Sequence, residues 1–348
     1  ICFVDSMGSL RHASRNGSMY LNSCKSVSMA ILKLLYCPLE YVASFTSTVF
    51  GGILVLNGKD YVEHFLKIVN ARSTKKVDGL SGDLQIVVSL ISLACHCRLP
   101  EYRELIIRLQ GLKILTSFIT WGLKTVSTAE RVYIAPRSHD LSSERSCCYL
   151  ESEDWEGEDS VFLFGLWVLA ELLRHSSHDK ESLAELSELR EICGGKYSPG
   201  AKWYAAYALS FFGIFGFPSE LGNRIGESLR EKAYADMKLH TSRQDSIIYA
   251  HQVVLAVRCP SLLPTQESRN TTEAVHLSSR VDHESLVKLL EYVYSGCVQM
   301  IGENTRNLKI LAKNCKLESL SRMLSGRRPV WGVGIPSFDL SSALGSAG

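Results

Sequence analysis

The stretch that decides the fold is HESLVKLLEYVYSGCVQM, residues 283–300. Four apolar residues recur there at the spacing i, i+3, i+4 and i+7, which is typical of one face of an amphipathic helix: Leu286, Leu289, Leu290 and Val293. Ser295-Gly296 ends this predicted helix, and Cys297-Val298-Gln299-Met300 reads as a very short strand. A helix that runs straight into so short a strand raises a question that only the rest of the chain can answer.

Length and composition indicate an ordinary globular protein. The chain has 348 residues, which is enough for two or three domains with a sizeable core. Its formal net charge is +2 and 46% of its residues are apolar, a balance that argues against a protein whose main role is to bind nucleic acid. Eleven cysteines are scattered without an even-spaced framework, which favours a reducing compartment. We therefore expect an intracellular protein of the cytoplasm and/or the nucleus.

We expect neither a targeting signal nor a membrane span in this sequence. The chain opens with Ile1 instead of Met, so we expect a fragment, and residues 1–18 lack the basic and apolar regions of a signal peptide. The most apolar runs, at 41–56, 161–170 and 203–217, fall short of the roughly 18 to 20 uninterrupted apolar residues of a span. These runs fit buried helices better, so no membrane partner is expected.

Residues 20–233 read as amphipathic helices separated by short polar turns. The helical patterns cover Leu80–Cys97, Glu101–Leu123, Val161–His175 and Lys180–Cys193. Helix pairs stacked in series bury many one-sided helices without a sheet, so an α-solenoid is the predicted architecture. The pattern lapses between 124 and 160, where acidic residues crowd together: Glu151, Glu153, Asp154, Glu156, Glu158 and Asp159. We interpret about 137–160 as a solvated loop, and the alternative is a docking site for a basic partner.

The stretch SPGAKWYAAYALSFFG, residues 198–213, is apolar nearly all round, which predicts a buried central helix. It also resembles the third helix of an armadillo repeat, in which a small-residue A-A-x-A-L core follows a loop and a proline or glycine. Ala205, Ala206 and Ala208 match that core. The region 20–233 is therefore predicted to be an armadillo/HEAT-like α-solenoid, and the plainer alternative for 198–213 is a core helix and nothing more.

No residues have the spacing of a metal site or a catalytic centre. Cys147-Cys148 lacks a second Cys or His at ligand spacing, and the side chains of Cys95-His96-Cys97 diverge within a predicted helix. The sequence also lacks a phosphate-binding loop, a nucleophile elbow, a zinc-protease motif and a CxxC pair. Arg327-Arg328 reads as a solvated linker. We therefore expect no enzyme, no catalytic residue, no cofactor, no metal and no nucleic-acid partner.

From Asp236 onward the period of the pattern changes. Two short alternating segments around a polar turn predict a β-hairpin, followed by a short helix that Pro260 ends. The segments follow in the order β-β-α-β-α-β-α-α: 236–241, 246–251, 252–259, 274–279, 283–294, 297–300 and two final helices. This order resembles a BTB/POZ domain, an α+β fold, over residues 234–325, with a flexible tail at 326–348.

The resemblance rests on several motifs that agree in order and spacing. The family's landmarks are an initial strand Asp, a His that opens an H-x-x-x-L-A-x-R-[SC] helix, an L-x-x-Y-x-Y-[ST]-G turn and a final pair of apolar helices. In this chain they stand as Asp236, His251, Leu255, Ala256, Arg258, Cys259, Leu289, Tyr292, Tyr294, Ser295, Gly296, Leu308, Ala312, Leu317 and Leu320. The whole chain resembles the plant ARM-BTB proteins, in which an armadillo region precedes a BTB domain.

Each landmark is expected to be mainly structural. Gly296 permits the left-handed backbone that turns the helix into the strand. Tyr292 and Tyr294 are expected to bury their rings and to keep a hydroxyl for a partner. Asp236 and His251 are expected to pair through a hydrogen bond at the edge of the core. A catalytic reading of this Asp–His pair lacks a nucleophile and an oxyanion site.

The resemblance implies binding and assembly, not chemistry. BTB domains dimerise or bind other proteins, and many are adaptors that link a target protein to a cullin-3-type ubiquitin ligase. The implied cullin face comprises Leu262, Leu263, Thr265, Glu267 and Tyr294, with Thr265 where cullin binders typically carry an apolar anchor. The helical region would then bind the target. The alternative is a BTB-mediated oligomeric scaffold, such as a homodimer, without a ligase role.

Overall fold

The computed structural model describes residues 30–32, 34–35, 40–56, 58–74, 83–126, 158–175, 185–197, 199–231, 234–241, 247–264, 274–277, 281–300 and 305–326. Within these ranges the chain is mostly helical, and its short strands lie in the last part of the sequence, as predicted. The chain divides into two compact units, the first made of residues 1–179, 198–204 and 329–348 and the second made of 180–197 and 205–328.

The described part of the first unit is built from helices. These are α1 (Glu40–Leu56), α2 (Gly58–Thr74), α3 (Asp83–His96), α4 (Pro100–Arg108), α5 (Gly111–Val126) and α6 (Glu158–His175). Helix α6 packs on α3 and α5, and α2 packs on the same two helices. Every residue of α6 from Val161 to Leu173 is buried, because this run is apolar nearly all round and has no face to give to solvent. The expected buried helix at 161–170 is therefore confirmed.

The predicted single helix at Glu101–Leu123 is wrong, because the chain breaks into α4 and α5. Gln110 adopts a left-handed backbone with φ 58°, and its N–H donates to the carbonyl of Ile107 at 3.0 Å. A Cβ on Gly111 would lie 2.7 Å from the carbonyl oxygen of Ile106, so the restart of the chain requires glycine there. The apolar spacing of Leu105, Leu109 and Leu112 runs across the break, and periodicity therefore could not reveal it.

The remaining helices of the helical region begin and end within a few residues of the predicted limits. Helix α7 is Glu185–Gly194 and helix α8 is Pro199–Ser210, with Pro199 in its first turn as expected. Part of the predicted acidic loop is helical, because α6 begins at Glu158. Acidic side chains are favourable in a first helical turn, where they meet the positive end of the helix dipole. Residues 137–157 of that loop and the tail at 327–348 lie outside the described residues.

The second unit contains the predicted alternation of strands and helices. From β1 (Ile214–Gly216) and α9 (Glu220–Glu231) the chain continues through β2 (Met237–His240), β3 (Ile247–Ala250), α10 (Gln252–Arg258), a 3-10 turn (Pro260–Leu262), β4 (Ala274–His276), α11 (His283–Ser295), β5 (Cys297–Gln299), α12 (Arg306–Asn314) and α13 (Glu318–Leu324). The order expected from Asp236 onward is confirmed.

Two small sheets organise the second unit. In the first, β2 is central and pairs antiparallel with β3 and parallel with β4, with Leu239 opposite both Ile248 and Val275. In the second, β1 pairs antiparallel with β5, with Phe215 opposite Val298. Strand β5, which follows helix α11, is therefore short because its partner β1 has only three residues.

Strand β1 and helix α9 were missed by the sequence interpretation, which assigned 203–217 to an apolar helix. Helix α9 packs along α11 within the second unit. A Cβ on Gly222 would lie 1.9 Å from the carbonyl oxygen of Ser295, so the two backbones touch at this glycine. The predicted domain of 234–325 consequently leaves out a helix that packs on its central helix.

The core of the second unit forms around α11. Leu286, Leu289 and Leu290 are fully buried, as their spacing predicts. Around them pack Met237, Leu239, Ala250, Leu255, Cys259, Leu262, Tyr292, Val293, Tyr294, Val298, Met300, Leu308, Leu311, Ala312, Cys315, Leu320 and Leu324. Residues from three of the four motifs quoted for the resemblance, the helix after His251, the turn at Gly296 and the final pair of helices, thus meet in one core. Within the ranges described, none of the helices combines the length and apolar character that crossing a membrane requires.

Candidate functional site

The landmark residues meet where helix α10 begins. Asp236, directly before β2, accepts a hydrogen bond from the backbone N–H of Gln252 at 2.8 Å and so satisfies a free donor in the first turn of α10. The predicted hydrogen bond between the Asp236 and His251 side chains is not the one observed. The ring Nδ1 of His251 instead lies 3.0 Å from the hydroxyl of Tyr294. The pair is therefore part of a structural junction.

Tyr294 ties the start of α10 to α11. Its hydroxyl accepts the backbone N–H of His251 at 2.7 Å, and the two rings meet edge to face with centroids 5.8 Å apart. Burial raises the pKa of Tyr294 above its usual value, and the nearby Asp236 carboxylate adds to the rise. Since the side chain is fully buried, the expectation that Tyr294 keeps its hydroxyl for a partner protein is wrong.

The turn after α11 depends on Gly296 and Arg258. Gly296 has φ 81°, a left-handed backbone that glycine adopts without strain, and its N–H donates to the carbonyl of Tyr292 at 2.8 Å. The guanidinium of Arg258 donates to the carbonyl of Tyr294 at 3.2 Å. A cation at this position is favourable because the last helical carbonyls carry the negative end of the dipole. Both landmarks thus shape the turn from α11 into β5.

The structure changes the membership of the predicted cullin face. Leu262 is only 4% exposed and belongs to the domain core, so it cannot supply the expected apolar contact. Tyr294 is excluded for the same reason. Leu263 packs at the edge of the core and is half-buried, which leaves part of its side chain open. Thr265 and Glu267 lie outside the described residues.

Large apolar side chains are exposed elsewhere on the second unit. Val253 and Val257 stand one turn apart on α10 and are 70% and 79% exposed, and Ile310 on α12 is 52% exposed. Exposed apolar residues grouped on one face often mark a protein interface. The sequence interpretation missed them because Leu255 and its neighbouring valines look alike on a helix of seven residues. The signal available in the sequence was the four-residue spacing of Val253 and Val257, which places both on one face of the helix.

A groove of about 1180 Å³ lies beside β3, α9 and α11 within the second unit. Ile247 and Ile248 of β3 and Val287 of α11 supply apolar lining. Lys288, a basic residue of the groove, is held within the domain: its Nζ donates to the carbonyl of Gln299 at 3.1 Å and lies 3.4 Å from the Glu291 carboxylate.

No cluster of three or more His, Cys, Asp or Glu side chains that could hold a metal ion was found in the part of the chain that the structure describes. The buried Cys95, His96 and Cys97 lie in or next to α3, and His96 is engaged by two backbone carbonyls.

Comparison with known proteins agrees with the architecture. The family model of the BTB/POZ domain matches residues 225–326. The chain is also similar to a BTB/POZ domain-containing protein of Arabidopsis thaliana, with 34% identity over 354 aligned residues that cover 95% of this chain. The aligned region is 35% of that relative, so the chain spans about a third of its length. No solved structure matches this chain.

Proposed function

Because this chain carries a BTB/POZ domain, a protein–protein interaction module, we propose that it is an adaptor that joins a target protein to a cullin-3-type ubiquitin ligase. In this proposal the BTB domain binds the cullin and the armadillo/HEAT-like helical region binds the target. The observation that carries the proposal is the family match over 225–326, which coincides with the strand-and-helix order described above. Such an adaptor holds two proteins together and needs no catalytic residue, cofactor or metal.

The proposed roles are divided between the two predicted domains. The helical region of about 20–233 supplies the surface for the target, because stacked helices present an extended concave face. The BTB domain of about 234–325 takes up α9 as well, since that helix packs on α11. A place in the cytoplasm and/or the nucleus is consistent with free cysteines at the six positions that the structure describes.

The proposed cullin face consists of Leu263, Thr265 and Glu267. Leu263 follows the 3-10 turn and is partly open to solvent, which allows an apolar contact. Glu267 would accept hydrogen bonds from the cullin, and charged acceptors make the stronger bonds of this kind. Thr265 replaces an apolar anchor, so the contact is weaker than an apolar residue would make it.

An oligomeric scaffold without a ligase is the second candidate. Its support is the pair Val253 and Val257 on α10. Each of these side chains is more than two-thirds exposed, and a second copy of the domain could cover both. A homodimer formed in this way would present two helical regions to partners. Self-association and cullin binding are separate measurements, so the two candidates can be told apart.

The deciding experiment is a calorimetric titration of the whole 348-residue chain with the N-terminal region of a cullin-3-type protein, together with sedimentation velocity of the chain alone. The adaptor proposal expects saturable binding. A chain that dimerises but releases no heat with the cullin at micromolar concentrations supports the scaffold. A chain that does neither overturns both proposals.

A further inference from the structure

A row of basic side chains runs along the exposed face of helix α12. Between residues 304 and 317 the sequence carries four basic residues and no acidic one: Arg306, Lys309, Lys313 and Lys316. Their intervals of three, four and three residues place them on one side of a helix that turns every 3.6 residues. All four side chains are exposed. We call Lys309, Lys313 and Lys316 the basic stripe.

Local helix stability explains Lys313 but not its basic neighbours. Lys313 lies in the last turn of α12, where a cation is favourable beside the negative end of the helix dipole. Arg306 stands in the first turn, where the positive end of the dipole disfavours a cation. Lys316 has φ 57°, a left-handed backbone that glycine adopts with less strain. Basic residues thus occupy positions at which another residue would stabilise the fold more.

The rest of the domain does not neutralise the stripe. Among the residues that the structure describes, no carboxylate forms an ion pair with a lysine of the stripe, and the ion pairs of the second unit involve Arg224 and Lys288. The next acidic residue in the sequence is Glu318, in the first turn of α13, where it meets the positive end of that helix dipole. Like charges held together on one helix attract a partner of the opposite charge.

An apolar side chain borders the stripe and favours a protein partner. Ile310 lies three residues before Lys313 and is 52% exposed. Leu308, Leu311 and Ala312 on the opposite side of α12 are buried in the core, so the position of this helix is fixed. Protein interfaces combine apolar contacts with a charged rim, whereas a helix that lies on a membrane needs a larger apolar face. The net charge of +2 for the whole chain does not favour a nucleic acid.

We propose that the basic stripe and Ile310 form a docking surface for an acidic helix of a partner protein. The intervals of four and three residues in the stripe correspond to steps of about 6 and 4.5 Å along α12. A partner helix with carboxylates at the same intervals presents its charges at matching steps, and an apolar residue beside them meets Ile310. An extended acidic segment fits less well, because its alternate side chains are about 6.8 Å apart.

This docking surface does not depend on the cullin proposal. It includes none of Leu263, Thr265 and Glu267, the residues of the proposed cullin face. Its test uses a peptide as the partner, so a chain that fails to bind a cullin can still bind the peptide, and the reverse also holds.

Cross-linking of the full chain with a carbodiimide identifies the lysines that touch a carboxylate, because the reagent joins the two groups directly as an amide. The probe is an alanine-based helical peptide whose glutamates follow one another at the intervals of the stripe. We expect the cross-links, located by mass spectrometry, to concentrate at Lys309, Lys313 and Lys316 and to disappear at high salt. Lys59 and Lys113, exposed lysines of the first unit, are the internal reference. A peptide of the same composition with its glutamates spread around the helix should show no such preference.

Two variants separate binding from folding, because each should stabilise the domain and weaken the contact. Lys309→Glu places an acid near the positive end of α12, and Lys316→Gly places glycine at the left-handed position. Fluorescence anisotropy of the labelled peptide should show an affinity reduced about tenfold in Lys309→Glu and about threefold in Lys316→Gly. Both variants should unfold at or above the wild-type temperature. Arg230→Glu makes the same change of charge at an exposed position of α9 and should bind like the wild type.

The proposal is overturned if the cross-links fall equally on Lys59 and Lys113, and the wild-type chain alone decides this point. It is also overturned if Arg230→Glu weakens binding as much as Lys309→Glu, since net charge would then explain the attraction. A single-stranded RNA of the same charge that displaces the peptide and binds more tightly would overturn it in favour of a nucleic-acid surface.

Discussion

His96 shows how a single buried residue can set the response of the first unit to acid. Its ring Nδ1 lies 2.8 Å from the carbonyl of Ser92, and its Nε2 lies 3.2 Å from the carbonyl of Leu54. A neutral imidazole can donate to only one of these oxygens. The ring is also packed edge to face on Tyr102, with centroids 5.0 Å apart. Burial lowers the pKa of His96 to about 4, against the two hydrogen bonds, which raise it.

The lowered pKa predicts a loss of stability between pH 6.5 and 4. In this range the unfolded chain takes up a proton at His96 while the folded chain does not, so acid favours unfolding. The free energy of unfolding should fall by about 2 kcal/mol between pH 7 and pH 5 from this residue alone. Urea unfolding at the two pH values measures it, and His96→Gln should reduce the fall by that amount.

His64 provides the comparison for the acid effect, because it lies on the same unit and is only half-buried. Its pKa is lowered by burial and by Lys67, so His64→Gln should change the pH dependence in the same direction and by less. Equal pH dependence in the wild type and in His96→Gln would show that the pKa of His96 is the same in the folded and unfolded chains, which would contradict the effect of burial.

Leu290 and Val253 make a matched pair for testing the core of the second unit. Leu290 is fully buried in α11, whereas Val253 is 70% exposed on α10. An unpaired charge in the core costs several kcal/mol, so Leu290→Asp should unfold the unit, and Val253→Asp should leave its fold unchanged. Thermal unfolding followed by circular dichroism measures both. A cooperative Leu290→Asp transition at the wild-type temperature would remove α11 from the centre of the fold.

At the scale of elements, the backbones of helices α9 and α11 approach each other closely at Gly222. A Cβ at Gly222 would lie 1.9 Å from the Ser295 carbonyl oxygen, a backbone atom that cannot turn away. At Gly226 the nearest atom is the Ser295 Cβ at 3.3 Å, a contact that a small shift relieves. The hydroxyl of Ser295 also accepts the N–H of Cys297 at 3.2 Å, so displacing Ser295 disturbs the start of β5.

Two alanine substitutions on α9 should therefore differ in sign or size. Gly222→Ala forces α9 away from α11 and should destabilise the second unit by about 1–3 kcal/mol. Gly226→Ala gains helix propensity of about 1 kcal/mol against a mild contact, so its net effect should be close to zero. Denaturant unfolding of both variants gives the comparison. Equal small effects would indicate that α9 does not rest on the Ser295 backbone.

The elements of the second unit were largely predictable from sequence, and their exceptions have local causes. The order of strands and helices from Asp236 onward was predicted from several motifs that agree in order and spacing. Strand β1 was missed because Ile214-Phe215-Gly216 is only three residues long and continues an apolar helical run. The break at Gln110 was missed because the helical spacing of the leucines continues across it. Strand pairing and close contact between backbones depend on residues that are distant in sequence, whereas periodicity reports only on neighbouring residues.

The candidate site was less predictable than the fold, because motif position does not fix the direction of a side chain. Leu262 and Tyr294 fit the pattern of the cullin face, yet both point into the core. Conversely, Val253 and Val257 were read as ordinary helix residues and are exposed. Asp236 was paired with His251 by proximity in the motif, whereas its carboxylate accepts the backbone N–H of Gln252. Only the packing of α10 on α11 decides these cases.

At the scale of the whole molecule, the adaptor proposal requires two kinds of surface on one chain. The described helices of the first unit bury their apolar faces against one another, as in α3, α5 and α6. The second unit exposes apolar residues on α10 and α12. Substitutions in the proposed cullin face should therefore affect cullin binding and leave binding of the target by the helical region intact. This separation distinguishes an adaptor from a chain that is simply destabilised.

The proposed cullin face predicts opposite effects for two neighbouring substitutions. Glu267→Ala should weaken binding of the cullin N-terminal region by about 1.5–3 kcal/mol, because it removes a charged hydrogen-bond acceptor. Thr265→Met should tighten binding, since burial of a methionine side chain contributes about 1.5–3 kcal/mol. Calorimetric titration of the full chain measures both, with Glu284→Ala as the control because it removes an exposed carboxylate of α11 that lies outside the proposed face. If the wild type does not bind and Thr265→Met does, the fold retains the face without the affinity, and the scaffold proposal replaces the adaptor.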